Sequence, residues 1–161
     1  MALGDINACF ILAENINKLF KKPESTVAPR FVLLFEVHGV NLNQIPSFFR
    51  HELTVSIVGN DETFLSVLTE EILTAACELF AIRREWLDGV DAQIYPTHDF
   101  YKQPEKLSKF IVSLDERKKG QVSGMLFVAD TPSHNHDAAI ILEEELGFIG
   151  EKIICRYHIC N

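Results

Sequence analysis

The sequence predicts an α+β protein, in which a mainly helical N-terminal part is followed by a small α/β part with a short sheet. Two observations lead to this fold class. Apolar residues recur every three or four positions through much of residues 1–92, which is the spacing of helices with one buried face. After residue 92 the pattern changes to the apolar run and the alternation that are typical of strands, in residues 122–129 and 153–159.

Composition limits the class of protein further. The chain has 161 residues, 47% of them apolar, and 15 Lys and Arg against 23 Asp and Glu give a formal charge of −8. These values exclude a disordered chain, and no apolar run approaches the ~18–20 residues of a membrane span. No basic stretch precedes an apolar core near Met1, and four cysteines do not suggest a disulfide scaffold. We therefore expect a cytoplasmic protein without a membrane partner.

The first segment, residues 1–26, is predicted to form an amphipathic helix and a loop. From Asp5 to Lys22 the apolar side chains make one continuous stripe, and Pro23 ends the helix. A stripe this wide must pack on the rest of the chain or on a second copy. A homodimer is therefore one expected partner state.

The second segment, residues 27–92, is predicted to be helical. Residues 30–40 fit a strand or a helix equally well by spacing. Residues typical of helix ends favour the helix. Thr26 can cap the N-terminus, Pro29 fits the first turn and Gly39 follows the last turn. We therefore favour a helix there and expect a short element over residues 43–50.

The rest of the second segment has one strand-like stretch and one long helical pattern. Residues 53–58 alternate as a strand would. Asp61 is the expected cap of a single helix that continues to about Phe80, followed by a break near 81–82 and a short turn over 83–87. If both 30–40 and 53–58 were strands, the whole chain would instead be one mixed α+β domain.

The third segment, residues 93–161, is predicted to be a small ligand- or partner-binding part. Helices are expected over residues 103–114 and 138–146, the second ended by Gly147 with Glu143, Glu144 and Glu145 on its exposed side. Residues 122–129 have the apolar character of a buried strand, and residues 153–159 alternate as a strand. The connections are a loop over 94–99, a charged turn over 117–120 and a polar loop over 130–137.

Two stretches of the second segment resemble a known family. Residues 79–89, LFAIRREWLDG, are similar to the close of phage-repressor-type (Cro or XRE) helix-turn-helix domains. Residues 38–45, HGVNLNQI, resemble the junction between the first two helices of that family. The resemblance covers residues 27–92 and implies a helix-turn-helix scaffold whose DNA-reading region would lie at about 50–60. It implies nucleic-acid contacts from Arg50, His51 and Asn60.

The charge of the same segment disfavours nucleic acid as a partner. Residues 27–92 contain four arginines and ten carboxylates, a net charge of −6. Contacts from Lys and Arg to phosphate normally dominate the affinity of a protein for DNA. A helix-turn-helix scaffold that contacts protein is therefore at least as well supported as one that binds DNA.

The polar loop at 130–137 is the best candidate for a small-molecule or metal site. It follows the strongest predicted strand, at the end where ligands bind in open α/β sheets. Its predicted ligand-binding residues are Asp130, Ser133, His134, His136 and Asp137, and the two histidines are the predicted metal ligands. The alternative is ordinary turn chemistry, because polar loops are commonly rich in Ser, Asn, His and Asp.

Cysteine and histidine also lie close together in the last predicted strand. Cys155, His158 and Cys160 are soft-metal ligand types. Side chains alternate along a strand, so Cys155 would face one side and the other two residues the opposite side. We therefore favour small, buried apolar cysteines and a histidine at the sheet edge here.

The function predicted from these patterns is that of a non-enzymatic regulatory or adaptor protein acting through ligand or protein binding. No phosphate-binding loop, dinucleotide fingerprint, nucleophile elbow or His-Glu-x-x-His motif is present, and no cofactor is indicated. Two alternatives stay open, a DNA-binding transcription regulator and a metal-dependent hydrolase or metal sensor that uses the 130–137 loop. A secreted effector or pure interaction module would have the same patterns.

Overall fold

A computed structural model describes residues 26–118, 122–128 and 138–161. These ranges contain seven α-helices and a four-stranded mixed sheet; six helices precede the first strand, and the seventh lies between the first and second strands. The protein is thus of the α+β class, as the sequence predicts. The helix predicted for residues 5–22 lies outside the described residues. No helix in the described part of the chain combines the length and the apolar character needed to cross a bilayer.

The described chain forms two compact units. The first comprises residues 26–77 and 84–94, and the second comprises residues 78–83 and 95–161. The first unit contains helices α1 (Val27–Val37), α2 (Ile45–Phe49), α3 (Val55–Val58), α4 (Asp61–Val67) and α6 (Arg84–Leu87), and a 3-10 turn at Leu42–Gln44. Helix α5 (Glu70–Phe80) begins in the first unit.

Helix α1 confirms that residues 30–40 favour a helix over a strand. It ends as its glycine predicts: Gly39 has φ +88, its N–H donates to the carbonyl of Glu36, and the N–H of Val40 donates to that of Phe35. This pair of bonds is the Schellman arrangement, which satisfies carbonyls that the helix end leaves unpaired.

The core of the first unit is aromatic. Phe31 on α1 is fully buried, and its ring centroid lies 4.9 Å from that of Phe35, 5.7 Å from that of Phe49 and 5.2 Å from that of Phe64. Aromatic pairs at these distances stabilise a core beyond the area that they bury. The apolar face of α1 therefore packs against α2 and α4 through the Phe31 side chain.

A buried arginine connects α1 to α6. The Nη1 atom of Arg30 donates to the carbonyl oxygen of Trp86 at 2.8 Å, and its guanidinium lies 5.5 Å from the centre of the Trp86 ring. Gly89, at φ +81, follows α6 in a left-handed conformation that disfavours other residues. A Cβ atom there would also lie 3.4 Å from Arg30 Nε. The Trp-Leu-x-Gly motif thus closes this unit by packing and backbone geometry.

In residues 53–80 the structure decides one alternative that the sequence left open and contradicts one prediction. Residues 53–58 are not a strand, because Thr54 accepts a hydrogen bond from the N–H of Ile57 and thereby begins α3. Residues 61–80 are not one helix, because Leu68 is extended and Thr69 starts α5 by accepting from Ile72 N–H. In both places a threonine caps a new helix. Its side-chain hydrogen bond competes with the secondary structure that the spacing of apolar residues predicts.

Protonation of a buried histidine makes the stability of the first unit depend on pH. Burial lowers the pKa of His38 from 6.5 to about 4, although a 2.7 Å hydrogen bond from Nδ1 to the Leu34 carbonyl opposes this. The unfolded chain therefore takes up this proton first as the pH falls. We expect the free energy of unfolding to drop by about 2 kcal/mol between pH 7 and pH 5.

Urea unfolding followed by Trp86 fluorescence measures this loss, since Trp86 is the only tryptophan and belongs to the first unit. His38→Gln should remove most of the pH dependence, whereas His51→Gln, at an exposed position, should keep it. Equal unfolding free energies at pH 7 and pH 5 for the unaltered protein would contradict the prediction.

The second unit is a sheet with one helix. Its strands are β1 (Thr97–His98), β2 (Val122–Val128), β3 (Ala138–Ile149) and β4 (Lys152–Cys160), in the order β1-β4-β3-β2, and its helix is α7 (Pro104–Lys118). β1 pairs with β4 in parallel, and the other neighbours are antiparallel. Leu114, Leu142 and Cys160 form the buried cluster of this unit.

The alternating pattern of residues 153–159 is confirmed as β4, and three other predictions for this segment are wrong. The loop predicted over 94–99 contains β1, and the helix predicted over 138–146 is the strand β3. Hydrogen-bonded ladders with both neighbouring strands override the helical pattern there. Residues 122–128 are a strand but not a buried one, because β2 is at the edge of the sheet and Leu126 is 66% exposed.

The helix expected over residues 103–114 is present and longer than expected. α7 continues to Lys118, so the first half of the charged turn predicted over 117–120 is helical. The remainder of that turn lies outside the described residues.

Candidate functional site

The first unit contains a half-open groove of about 600 Å³. Volumes of roughly 300–1,000 Å³ are typical of ligand sites in proteins. One wall comes from the segment between α2 and α3, and the other from the junction between α4 and α5. The lining residues are His51, Glu52, Leu53, Ile57, Val67, Thr69, Glu71 and Ile72.

The first wall depends on an unusual stretch of backbone. Arg50, His51 and Glu52 follow α2 and have φ values of +68, +45 and +57. Each non-glycine residue in this left-handed region costs roughly 1 kcal/mol, and such strain clusters at functional sites. After these three residues, buried Leu53 and partly buried Ile57 line the groove.

The second wall depends on the break between α4 and α5. Extended Leu68 ends α4, and Thr69 begins α5 through its hydrogen bond with the N–H of Ile72. Val67 before the break and Ile72 after it are both half-buried and both line the groove. A continuous helix over 61–80, as predicted from the sequence, would not have this junction, so the break that the prediction missed forms this wall.

The charge around the groove is negative. Residues 50–72 contain one arginine and five carboxylates, and exposed Glu52 and Glu71 are part of the lining. Glu70 is in a different environment, because its carboxylate is bound by the Arg84 guanidinium, whose hydrogen bonds lower the pKa of Glu70. The lining carboxylates are acceptors for a cationic group.

The three predicted nucleic-acid residues have different surroundings in this unit. Exposed His51 lines the groove with its ring centroid 4.2 Å from that of Phe49. Arg50 is exposed but is not part of the groove lining. Asn60 caps α4, because its Oδ1 atom accepts a 2.9 Å hydrogen bond from the N–H of Thr63.

Asn60, rather than the predicted Asp61, is therefore the residue that caps this helix. Asp61 is the first residue of α4. The groove residues that sequence reasoning missed are mostly aliphatic, and nothing in the local pattern distinguishes them from ordinary core residues.

The predicted ligand and metal residues of the 130–137 loop lie outside the described residues. These are Asp130, Ser133, His134, His136 and Asp137, and their role stays a prediction. Among the residues that the structure describes, no group of three or more His, Cys, Asp or Glu side chains is arranged to hold a metal ion.

The second unit has a buried ionic cluster on the sheet. Glu144 on β3 is fully buried and accepts hydrogen bonds from Arg156 Nε at 2.6 Å, Arg156 Nη2 at 2.7 Å and His158 Nε2 at 2.9 Å. Arg156 Nη1 also donates to the carbonyl of Glu78 at 3.0 Å. Sequence reasoning missed this cluster, because it assigned Glu144 to the exposed side of a helix.

The cluster fixes the charges of its members. Burial alone would raise the pKa of Glu144, but the hydrogen bonds from Arg156 and His158 outweigh burial and the pKa is lowered. Burial lowers the pKa of His158, and its bond with Glu144 offsets this only in part. At neutral pH the cluster is therefore a carboxylate–guanidinium pair with a neutral imidazole beside it.

His98 on β1 lies next to this cluster. Its ring centroid is 6.0 Å from that of His158 and 4.6 Å from that of Phe110 on α7. Burial lowers the pKa of His98 as well, so this imidazole is also neutral at pH 7. The contacts of both histidines are thus largely aromatic, which is the environment of a packed core.

The alternation predicted for β4 is confirmed, but the prediction of a histidine at the sheet edge is wrong, because His158 is buried and β4 lies between β1 and β3. The burial pattern alternates along the strand, so that His158 and Cys160 are buried on one face and Cys155 is half-buried on the other. Burial raises the pKa of Cys155 to about 11 and that of Cys160 above its usual value. Both thiols are protonated at neutral pH, which makes them poor nucleophiles and poor metal ligands.

Comparison of the chain with models of protein families, with curated proteins and with solved structures finds no match. The resemblance of residues 27–92 to phage-repressor-type helix-turn-helix domains therefore stays a prediction from the sequence.

Proposed function

We propose that this chain is a non-enzymatic regulatory or adaptor protein that binds a segment of another protein in the groove of its first unit. The observation that carries the proposal is the groove itself. It combines aliphatic side chains with two carboxylates that form no ion pair within the described part of the chain, all in one half-open space. Leu53, Ile57, Val67 and Ile72 provide the apolar surface. Burying such surface contributes roughly 25 cal/mol per Å², and polar rim groups add specificity.

The strained wall supports the same proposal. The positive φ values of Arg50, His51 and Glu52 cost stability, and a fold that needed only to pack its core would place glycine at such positions. Backbone strain of this kind clusters at functional sites, which supports a binding role for the groove beside it. The proposed compartment is the cytoplasm, in line with the composition, and self-association through residues 5–22 is a separate proposal from the sequence.

The test is an unbiased peptide selection on the full chain. A library of random twelve-residue peptides is panned on the protein, and the affinities of the enriched peptides are measured by fluorescence anisotropy. Ile72→Asp, which adds a charge to the apolar lining, should weaken binding at least tenfold. Leu65→Asp is the matched control, because Leu65 is 52% exposed on α4 and is not part of the groove.

Trp86 fluorescence and circular dichroism establish that both variants keep the fold. If the enriched peptides bind the Ile72→Asp variant as tightly as the unaltered protein, or if no peptide is enriched, the proposal is wrong.

A further inference from the structure

We infer that the partner segment is cationic: an apolar stretch flanked by Lys or Arg, whose charges meet Glu52 and Glu71 while its apolar side chains fill the groove. The inference rests on the proposed function, since it names the chemistry of the partner for the same site. It follows from charge complementarity between the groove and its occupant.

The two carboxylates enter the groove from different elements. Glu52 belongs to the strained segment after α2, and Glu71 belongs to the first turn of α5. Both side chains are exposed, so each carboxylate is hydrated in the unbound protein. A partner that carries a cation near each of them would gain two ion pairs without first burying an unpaired charge.

The positive charges nearest in sequence do not neutralise this pair. Arg84 is bound by Glu70 and by Asp88, whose Oδ1 atom lies 2.8 Å from Arg84 Nε. Arg50 is exposed and is not part of the groove lining, and the described residues that line the groove include no Lys or Arg. An anionic partner such as a phosphate backbone would therefore meet repulsion at this surface.

The apolar lining limits what kind of cation fits. A small hydrophilic cation would leave the side chains of Leu53, Ile57, Val67 and Ile72 in water and gain only screened ion pairs. A segment with two to four apolar side chains matches a space of about 600 Å³ and buries that lining. The occupant is therefore a cationic, amphipathic peptide segment.

The experiment compares three synthetic peptides with one apolar sequence and with Lys, Gln or Glu at both flanks. Binding to the full chain is measured by fluorescence anisotropy at about 50 mM and at about 1 M salt. At low salt we expect the Lys-flanked peptide to bind about tenfold more tightly than the Glu-flanked one, with the Gln-flanked peptide between them. At 1 M salt the difference should fall below about twofold, because the screening length is then only about 3 Å.

The protein variants test the assignment to these two residues. Glu52→Lys with Glu71→Lys should reverse the order, so that the Glu-flanked peptide binds best. Glu52→Gln with Glu71→Gln should bind all three peptides equally, and this neutral pair serves if the reversed pair does not fold. Glu62→Lys, on exposed α4 and not part of the groove, is the control that should keep the original order.

The outcomes separate this inference from the proposed function. If all three peptides, or the peptides enriched from the random library, bind equally regardless of flanking charge, the proposed function stands and the cationic partner is wrong. Preference for the Glu-flanked peptide by the unaltered protein would also overturn it. If neither the designed nor the library peptides bind, both proposals are wrong.

Discussion

Replacing Glu144 with glutamine is expected to lower the free energy of unfolding of the second unit by about 3–5 kcal/mol. The variant removes the negative charge that Arg156 and His158 share, and it leaves a buried guanidinium without its counter-ion. Removing one partner of a buried ion pair costs far more than the pair itself contributes, because the remaining charge stays desolvated. Hydrogen exchange of the β3 and β4 amides measures the loss directly.

The neighbouring residue is a matched control. Glu143 is on the opposite face of β3, is only half-buried and accepts a hydrogen bond from Ser123 Oγ at 3.2 Å. Glu143→Gln should therefore change the unfolding free energy by less than about 1 kcal/mol. Similar effects of the two substitutions would mean that the buried cluster does not stabilise the sheet.

The cluster also gives the second unit an acid limit. The pKa of Glu144 is lowered in the folded protein, so the stability that its charge provides is complete above the unfolded value of about 4.5. It is lost as the pH falls through the lower folded value, where the carboxylate takes up a proton. Acid unfolding of the unaltered protein should therefore be steeper below pH 4.5 than that of the glutamine variant.

Phe31→Ala is expected to destabilise the first unit by about 3–5 kcal/mol, since the change removes a fully buried ring and leaves a cavity among the rings of Phe35, Phe49 and Phe64. Urea unfolding monitored by Trp86 fluorescence measures this loss. Phe148→Ala is the same chemical change at a position that is 60% exposed, and it should cost less than about 1 kcal/mol. A small effect of Phe31→Ala would show that the aromatic core can collapse around the gap.

The parts of the fold that could be predicted from the sequence are those whose boundaries depend on residues close by in the chain. Gly39 ends α1 as the sequence predicts, so this boundary follows from neighbouring residues, whereas Thr26 occupies the N-cap position without a side-chain hydrogen bond. Residues 138–149 show the opposite case. Their spacing suits a helix, and only the ladders to β2 and β4, formed by residues distant in sequence, make them a strand.

The candidate sites were less predictable than the fold, for a physical reason. His51 was singled out from a resemblance to DNA-binding domains, but Ile72, which lines the same groove, lies beyond a helix break that spacing does not reveal. Glu144 meets Arg156 because β3 and β4 pair in one register, and a shift by one residue would turn the carboxylate to the other face. Register is a long-range property, so a buried ion pair of this kind escapes inspection of one segment.

The pairing of β1 with β4 sets an order of events during synthesis. Thr97 and His98 find their strand partners at Ile159 and Cys160, about sixty residues later in the chain. The ribosome therefore synthesises His98 well before β4, the strand with which it pairs. Bringing β1 and β4 together also closes a loop of about sixty residues, which carries an entropic cost. The β3–β4 hairpin has the shorter loop and should form first. Attachment of β1 beside it would then be the last step in completing the sheet, and a slow one.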